Sequence, residues 1–314
     1  MRIEDNTALF HALKSGNPIL PIFIFDKEIL SELDQDDARV NFIYDSLKKI
    51  NRVLNEHKSS LKVFNNSVVE VWEKLLKEYE IKNVYVNEDY ESYSIQRDYD
   101  VSKLLYSKGV DFISYTDHVV FKPGTILKSD KTPYTVFTPF KNKWLKHFED
   151  NPIEDIAKSD FSNFTKNNFK FPTLSEIGFL PSKIKVEEFS LKSIDKYELT
   201  RDFPALKATS YLGPHLRFGT VGIRTIINSL KIKDFMFLSE LIWREFFIQI
   251  MFHFPRVVNE NFKSKYDGIK WRDNKADFKR WCNGTTGYPL VDAGMRELNE
   301  TGYMHNRVRI VTAS

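Results

Sequence analysis

The sequence predicts a two-part molecule: an α/β domain built on a doubly wound, mostly parallel sheet, followed by a mostly α-helical domain. Three observations predict it. Between residues 18 and 115, short apolar or β-branched runs alternate with longer amphipathic stretches, the rhythm of βαβ units. Between residues 117 and 192 that rhythm dissolves into Pro, Lys and Phe. Beyond residue 191, apolar residues recur at three- and four-residue spacing and β-branched runs disappear. The expected boundaries are therefore 1–116 for the α/β domain, 117–190 for an interdomain linker and 191–314 for the helical domain.

Taken in order, residues 6–14 read as a helix stopped by Gly16. Residues 19–25 form a nearly continuous apolar run ending at Asp26, as expected of a strand covered on both faces. Val40, Ile43, Tyr44, Leu47, Ile50 and Leu54 have helical spacing, with Asp36 or Asp37 available as the cap. A strand is expected at 61–64, and a helix through Val68, Trp72, Leu75, Leu76 and Tyr79. A strand at 84–86, a helix ending near Gly109 and a strand at 112–115 complete the alternation. An open α/β domain normally begins with a strand feeding its first helix, so a strand is expected to be missing upstream. The interleaved basic and aromatic residues of 117–190 could touch a polyanion, but are read as a solvated linker whose Phe side chains are pinned on a domain surface.

Composition narrows the function. With 42% hydrophobic and 28% charged residues, the chain of 314 residues has material for sizeable cores, which excludes a disordered or collagen-like protein. The net charge of +3 is a weak pointer to nucleic acid, and 26 Phe residues suggest an aromatic-lined pocket or stacking surface. The greasiest stretch, 246–254, is broken by Gln249 and His253, well short of the roughly 18 residues a membrane helix needs. A charged opening and a single cysteine, Cys282, fit a reducing, cytoplasmic setting. CxxC, HExxH, Walker and GxGxxG patterns are absent, so no metal site is expected.

Four later stretches carry chemistry. TSYLGPHLRFGTVGIR, residues 209–224, brings Thr209, Ser210 and backbone N–H groups to a helix start, which suits a diphosphate; a plain capped helix is the alternative. In SELIWREFFIQIMF, residues 239–252, Glu240, Trp243 and Arg244 share one face of a largely apolar helix. They would face a partner or a cavity, unless Glu240 simply pairs with Arg244 and Trp243 is core. RWCNGTTGYPLVDAGMREL, residues 280–298, reads as a turn and a helix. GYMHNRVRIVTAS, residues 302–314, gathers His305, Asn306, Arg307 and Arg309, which suit phosphate and base contacts or a solvated basic face.

Together, ELIWREF, GTTGYP with VDAGMR, and MHNRVR, behind TSYLGPHLRFG, closely resemble the DNA photolyase and cryptochrome family. IEDNTALFHAL with LPIFIFD resembles that family's amino-terminal domain, and DKTPYTVFTPFKNKW its interdomain segment. The resemblance implies FAD held in the helical domain by Tyr197, Thr209, Ser210, Leu212, Glu240, Arg244, Asn306 and Arg309, with Gly213 where a serine is common. It implies that Trp243 packs on the damaged base pair, that Glu240, Asn306 and Arg307 face the lesion, and that Arg201 contacts a DNA phosphate. It also implies that Trp281 is the outermost member of a tryptophan chain feeding electrons to the flavin. The pair Asn306-Arg307 after His305 resembles the cyclobutane dimer class. The implied activity is light-dependent splitting of pyrimidine dimers in UV-damaged DNA by a monomeric lyase. An antenna pigment, a folate or a deazaflavin, is implied without its identity. The other implied role is a blue-light sensor acting through protein partners. The family's first strand with its arginine-rich turn has no counterpart here, nor do its last helices with an Asp-x-Asp pair, an Asn and two inner tryptophans. This implies an inactive fragment clipped at both ends, poorly soluble and low in FAD.

Overall fold

A computed structural model describes residues 1–153, 156 and 160–314. The remaining linker positions lie outside the described residues. Helix α1 (Thr7–Lys14) starts at Asn6, whose side chain accepts the Leu9 N–H. Strand β1 (Ile22–Asp26) runs into the one-turn helix α2 (Lys27–Leu30), capped by Asp26. Helix α3 (Ala38–Glu56) is capped by Asp37 and buries Val40, Leu47 and Leu54, the spacing read from the sequence. Then come β2 (Lys62–Asn66), α4 (Val68–Glu78), β3 (Asn83–Asn87), α5 (Ser92–Tyr106) and β4 (Asp111–Tyr115).

All strand pairs are parallel, β1 with β2 and β3 with β4. The order and direction agree with the α/β reading. The continuity of the sheet does not: it consists of two two-stranded halves. Ile22 and Ile24 face the same core as Trp72 and Val84, whereas Phe23 and Phe25 face that of α1 and α3. Helices on both faces thus hold the halves together without a ladder between them.

The helical part contains α6 (Phe137–Asp150), α7 (Tyr197–Thr200), α8 (Leu212–Phe218), α9 (Ile223–Ser229) and α10 (Phe235–His253). It ends with α11 (Lys275–Asn283), α12 (Pro289–Thr301) and α13 (Asn306–Thr312). The solvated linker expected at 117–190 is corrected here. Helix α6 lies within it, and its Phe140 and Trp144 are buried against Leu212, Ile226, Phe237 and Phe246. Farther on, Phe164, Ile177 and Phe179 are buried with Phe25, Val40 and Leu47 of the α/β part. Burying these large aromatic side chains outweighs the solvation of their lysine neighbours.

Two buried carboxylates tie the parts together. Asp117 accepts from Arg2 and Arg224, each at 2.6 Å, and from the Thr7 hydroxyl at 2.8 Å. Burial opposes its charge, but the two guanidinium groups outweigh that and hold its carboxyl down at about 2. Arg224 also pairs with Asp5 at 2.7 Å. Asp5 in turn lies so close to Gly222 that a Cβ there would sit 1.7 Å from its carboxylate oxygen. The second carboxylate, Glu245 of α10, accepts the N–H groups of Val120 at 2.8 Å and Phe121 at 3.3 Å, and the Trp144 indole N–H at 2.8 Å. It anchors both the chain entering α6 and α6 itself. Burial pushes this carboxyl up to about 7.

Candidate functional site

One wall of the helical part, made by α7, α10, α13 and the turn before α8, collects most of the expected residues. Arg201, just beyond α7, donates to the Glu240 carboxylate of α10 at 2.7 Å. Asp202 takes Arg307 of α13 at 2.6 Å and lies 3.8 Å from Arg201. A chain of alternating charge, Arg307, Asp202, Arg201 and Glu240, therefore crosses the wall. Tyr197 lies within it: burial raises its phenol above the ordinary value, and the charge of Glu240 adds to this while Arg201 and Arg307 oppose it. Tyr303 extends the cluster to Tyr211, Thr209 and Arg309; burial, then Tyr211, raises its phenol.

The turn before α8 is built by Tyr211, which adopts a left-handed backbone at φ 53°. This turns Ser210 so that its carbonyl accepts the Ser190 N–H at 2.9 Å, while its hydroxyl lies 3.4 Å from the Leu212 N–H. Leu212 is buried and Gly213 is exposed at the first turn of α8. On α13, Asn306 and Arg309 are exposed. His305 caps that helix, its Nδ1 accepting the Arg307 N–H at 3.2 Å.

Three expected residues have partners that the sequence did not foresee. Arg244 does not stand beside Glu240. Its guanidinium reaches the His118 carbonyl at 2.8 Å on the side facing the α/β part, and burial lowers its value to about 10. The Glu240 to Arg244 pair, weighed as the plain alternative, is therefore not formed either. Trp243 stacks on Phe137 of α6, with ring centroids 3.6 Å apart and planes 9° apart, so one face of the indole is already covered. Trp281 donates its indole N–H to the Thr312 carbonyl at 2.9 Å and packs with Met295 and Met304. The surface tryptophan of this region is Trp271, which is 78% exposed. The GTTGYP and VDAGMR motifs prove architectural. Asp292 accepts the N–H groups of Thr286 at 2.7 Å and Gly287 at 2.9 Å, and a Cβ at Gly294 would come within 2.5 Å of Val308.

The wall presents hydroxyls at Thr209 and Ser210, an amide at Asn306 and an exposed guanidinium at Arg309. Such donors fit a polar, anionic ligand with hydroxyl groups, as FAD is. Residues 1–158 match the DNA photolyase family model, and residues 237–314 match that of the FAD-binding domain of DNA photolyase. The chain belongs to the DNA photolyase family. A deoxyribodipyrimidine photo-lyase of Halobacterium salinarum is 32% identical, the alignment taking in 95% of this chain and 67% of that protein. One of Agrobacterium fabrum is 30% identical over 100% of this chain and 70% of its own length. Among solved structures, a bacterial class III photolyase from Agrobacterium tumefaciens superposes with a TM-score of 0.84 at 30% identity, covering 99% of this chain and 69% of that one. An archaeal photolyase from Sulfolobus tokodaii, solved with two FAD molecules, gives 0.82 at 30% identity, covering 99% and 71%. The family's lyases are DNA-repair enzymes, and residues 237–314 of this photolyase-family chain match its FAD-binding domain. Among the described residues, no helix is long and apolar enough to cross a membrane.

Sequence reasoning missed Glu245, Asp202 and Phe137. The signal for Glu245 was a second carboxylate on a helix read as buried. Asp202 and Phe137 became meaningful only once the fold had set them beside Arg307 and Trp243.

Proposed function

We propose that this chain repairs cyclobutane pyrimidine dimers in UV-damaged DNA under light. The observation that carries the reading is the charge chain from Arg307 to Glu240, lying on one wall with Tyr197, Thr209 and Asn306. It supplies what a flipped-out, damaged dinucleotide and its backbone need: guanidinium groups for phosphate, and a carboxyl and an amide for base edges. Tyr197, Thr209, Ser210, Gly213, Asn306 and Arg309 would hold FAD, with Leu212 shaping the turn they stand on. Reduced FAD held there would supply light-driven one-electron chemistry for opening the dimer. An antenna pigment bound by the α/β part would widen the usable light.

The protein's own share is placement and electrostatics. Trp243, with one face closed by Phe137, offers an aromatic edge and its remaining surface to an unstacked base. Arg201 is shared: a DNA phosphate that draws it away leaves Glu240 without its counter-ion, which favours protonation and lets the carboxyl donate a hydrogen bond to a dimer carbonyl. Trp281, oriented by its N–H to the Thr312 carbonyl, would be the outermost tryptophan passing electrons toward the flavin. The test is dimer splitting by the chain supplied with FAD and reductant, in light and in darkness. Splitting in light alone supports the proposal; none, despite bound FAD, refutes it and favours the light-sensing alternative. Glu240→Gln should lower the light-dependent rate about tenfold while changing affinity for damaged DNA little.

A further inference from the structure

His215 is the imidazole of the TSYLGPHLRFG stretch, and a flavin turn at Thr209–Leu212 leaves it without a task. It is 3% exposed and shares the buried side of α8 with Leu212 and Leu216. An aliphatic residue would fill that place with no polar group to satisfy. Both ring nitrogens are engaged instead. Nε2 lies 2.9 Å from the Glu187 carbonyl, which only accepts, so Nε2 carries the proton and Nδ1 accepts the Thr220 hydroxyl at 2.8 Å. Phe42 of α3 and Phe189 meet the ring edge to face, with centroids 5.2 and 5.0 Å away. Glu187 and Phe189 belong to a strap, residues 180–190, that runs from the α/β part to the flavin wall. At its start, Asn41 of α3 donates to the Leu180 carbonyl and accepts the Ser182 N–H, each at 3.1 Å. Farther along, Ile184 lies so close to Gly302, next to Tyr303, that a Cβ there would sit 2.9 Å from its methyl carbon. At its end, Ser190 donates its N–H to the Ser210 carbonyl at 2.9 Å. The strap therefore supports the wall twice: at the turn before α8, and beside Tyr303, whose ring packs on Tyr211 at 5.0 Å. His215 grips it between these two supports.

We propose that His215 is a positioning residue for FAD. By holding the strap at Glu187 it fixes the Ser210 carbonyl and the Tyr211–Tyr303 contact, and it makes flavin affinity in the helical part depend on α3 of the α/β part. It acts through Ser190 rather than by contact with the flavin. A merely structural core histidine would lower stability when replaced and leave the turn as it was; a positioning one changes the turn while the chain stays folded. The inference rests on the wall's holding FAD.

Two measurements on the full 314-residue chain test it: FAD titration read by quenching of flavin fluorescence, and amide exchange at Ser190 in the flavin-free chain. His215→Leu nearly keeps the volume and loses both hydrogen bonds, so FAD affinity should fall about tenfold and Ser190 should exchange about tenfold faster. In His215→Gln a side-chain amide N–H can still reach the Glu187 carbonyl, and both values should return to within about threefold of wild type. Asn41→Ala, at the far end of the strap and outside the flavin wall, should move both in the same direction by about threefold. Wild-type FAD affinity in a folded His215→Leu chain overturns the proposal, as does a Gln variant no better than the Leu one. Where the Leu chain does not fold, Asn41→Ala decides, and unchanged affinity with unchanged Ser190 exchange overturns it. A wild-type chain that takes up no FAD refutes the reading of the wall. Faster Ser190 exchange in His215→Leu would then still support the hold of His215 on the strap, and unchanged exchange would overturn that as well.

Discussion

Arg201 and Arg307 meet the surface already engaged, and this sets how the chain would respond to DNA. Asp202 holds Arg307 at 2.6 Å and is itself more than half exposed, so it competes with incoming phosphate at little cost to the fold. Asp202→Asn should raise affinity for DNA about threefold at low salt, in line with the value of exposed ion pairs. Because phosphate contacts release counter-ions, affinity should also fall steeply with salt in both proteins, which filter binding at several salt concentrations would check. Trp243→Ala should remove most discrimination between damaged and intact DNA, a loss of about 1–3 kcal/mol measured by competition. At this scale the sequence was a good guide to residue types and a poor one to direction. Glu240 and Arg244 are one helical turn apart, yet one points to Arg201 and the other to the α/β part. Spacing alone fixes a shared side of α10, not the partner each long side chain finds. The same holds for Trp281 and Trp271, ten positions apart, of which the nearer to the motif is the one tucked into packing.

Among the elements, α10 and α6 form one unit through Glu245. Its carboxyl is raised to about 7 from 4.5, so the folded protein takes up a proton that the unfolded chain releases. The stabilising contribution is fully present below about pH 4.5 and is lost as pH rises through 7. Urea midpoints of the wild type should therefore fall between pH 5 and 8 more than those of Glu245→Gln, whose amide does not titrate. Glu245→Ala should cost several kcal/mol at any pH, since it strands the Trp144 indole and two backbone N–H groups. The helices of the α/β part were legible from their apolar spacing, and before α3 the cap at Asp37 agreed with it. Helix α6 was not, although Phe137, Phe140, Trp144 and Phe148 carry the spacing. The surrounding Pro and Lys residues hid it, yet Pro139 stands in the first turn, where its missing N–H would have had no partner in any case.

Across the whole molecule, the buried cluster around Asp117 joins α1, the end of β4 and α9. Asp117 is held at about 2 against an ordinary 3.8, so its contribution is present above about pH 4 and is lost as pH falls through 2. Asp117→Ala leaves two guanidinium groups without their shared partner and should cost about 3–5 kcal/mol by urea denaturation at pH 7. The α/β and helical classes were readable from periodicity. The interruption between β1 and β3 was foreshadowed by the domain's opening on a helix and by the absent counterpart of the family's first strand, since pairing between distant segments leaves no local trace. The path of the middle segment bears on how the molecule can be divided. Residues 117–150 belong to the helical core, while 160–179 return to cover the α/β core. A single cut anywhere in 117–190 therefore cannot release two intact halves. A cut at 116 strips Phe164, Ile177 and Phe179 from the first piece, and one at 190 takes Phe140 and Trp144 from the second. Either piece expressed alone should give broad, non-cooperative unfolding, whereas the two co-expressed should recover a sharp transition.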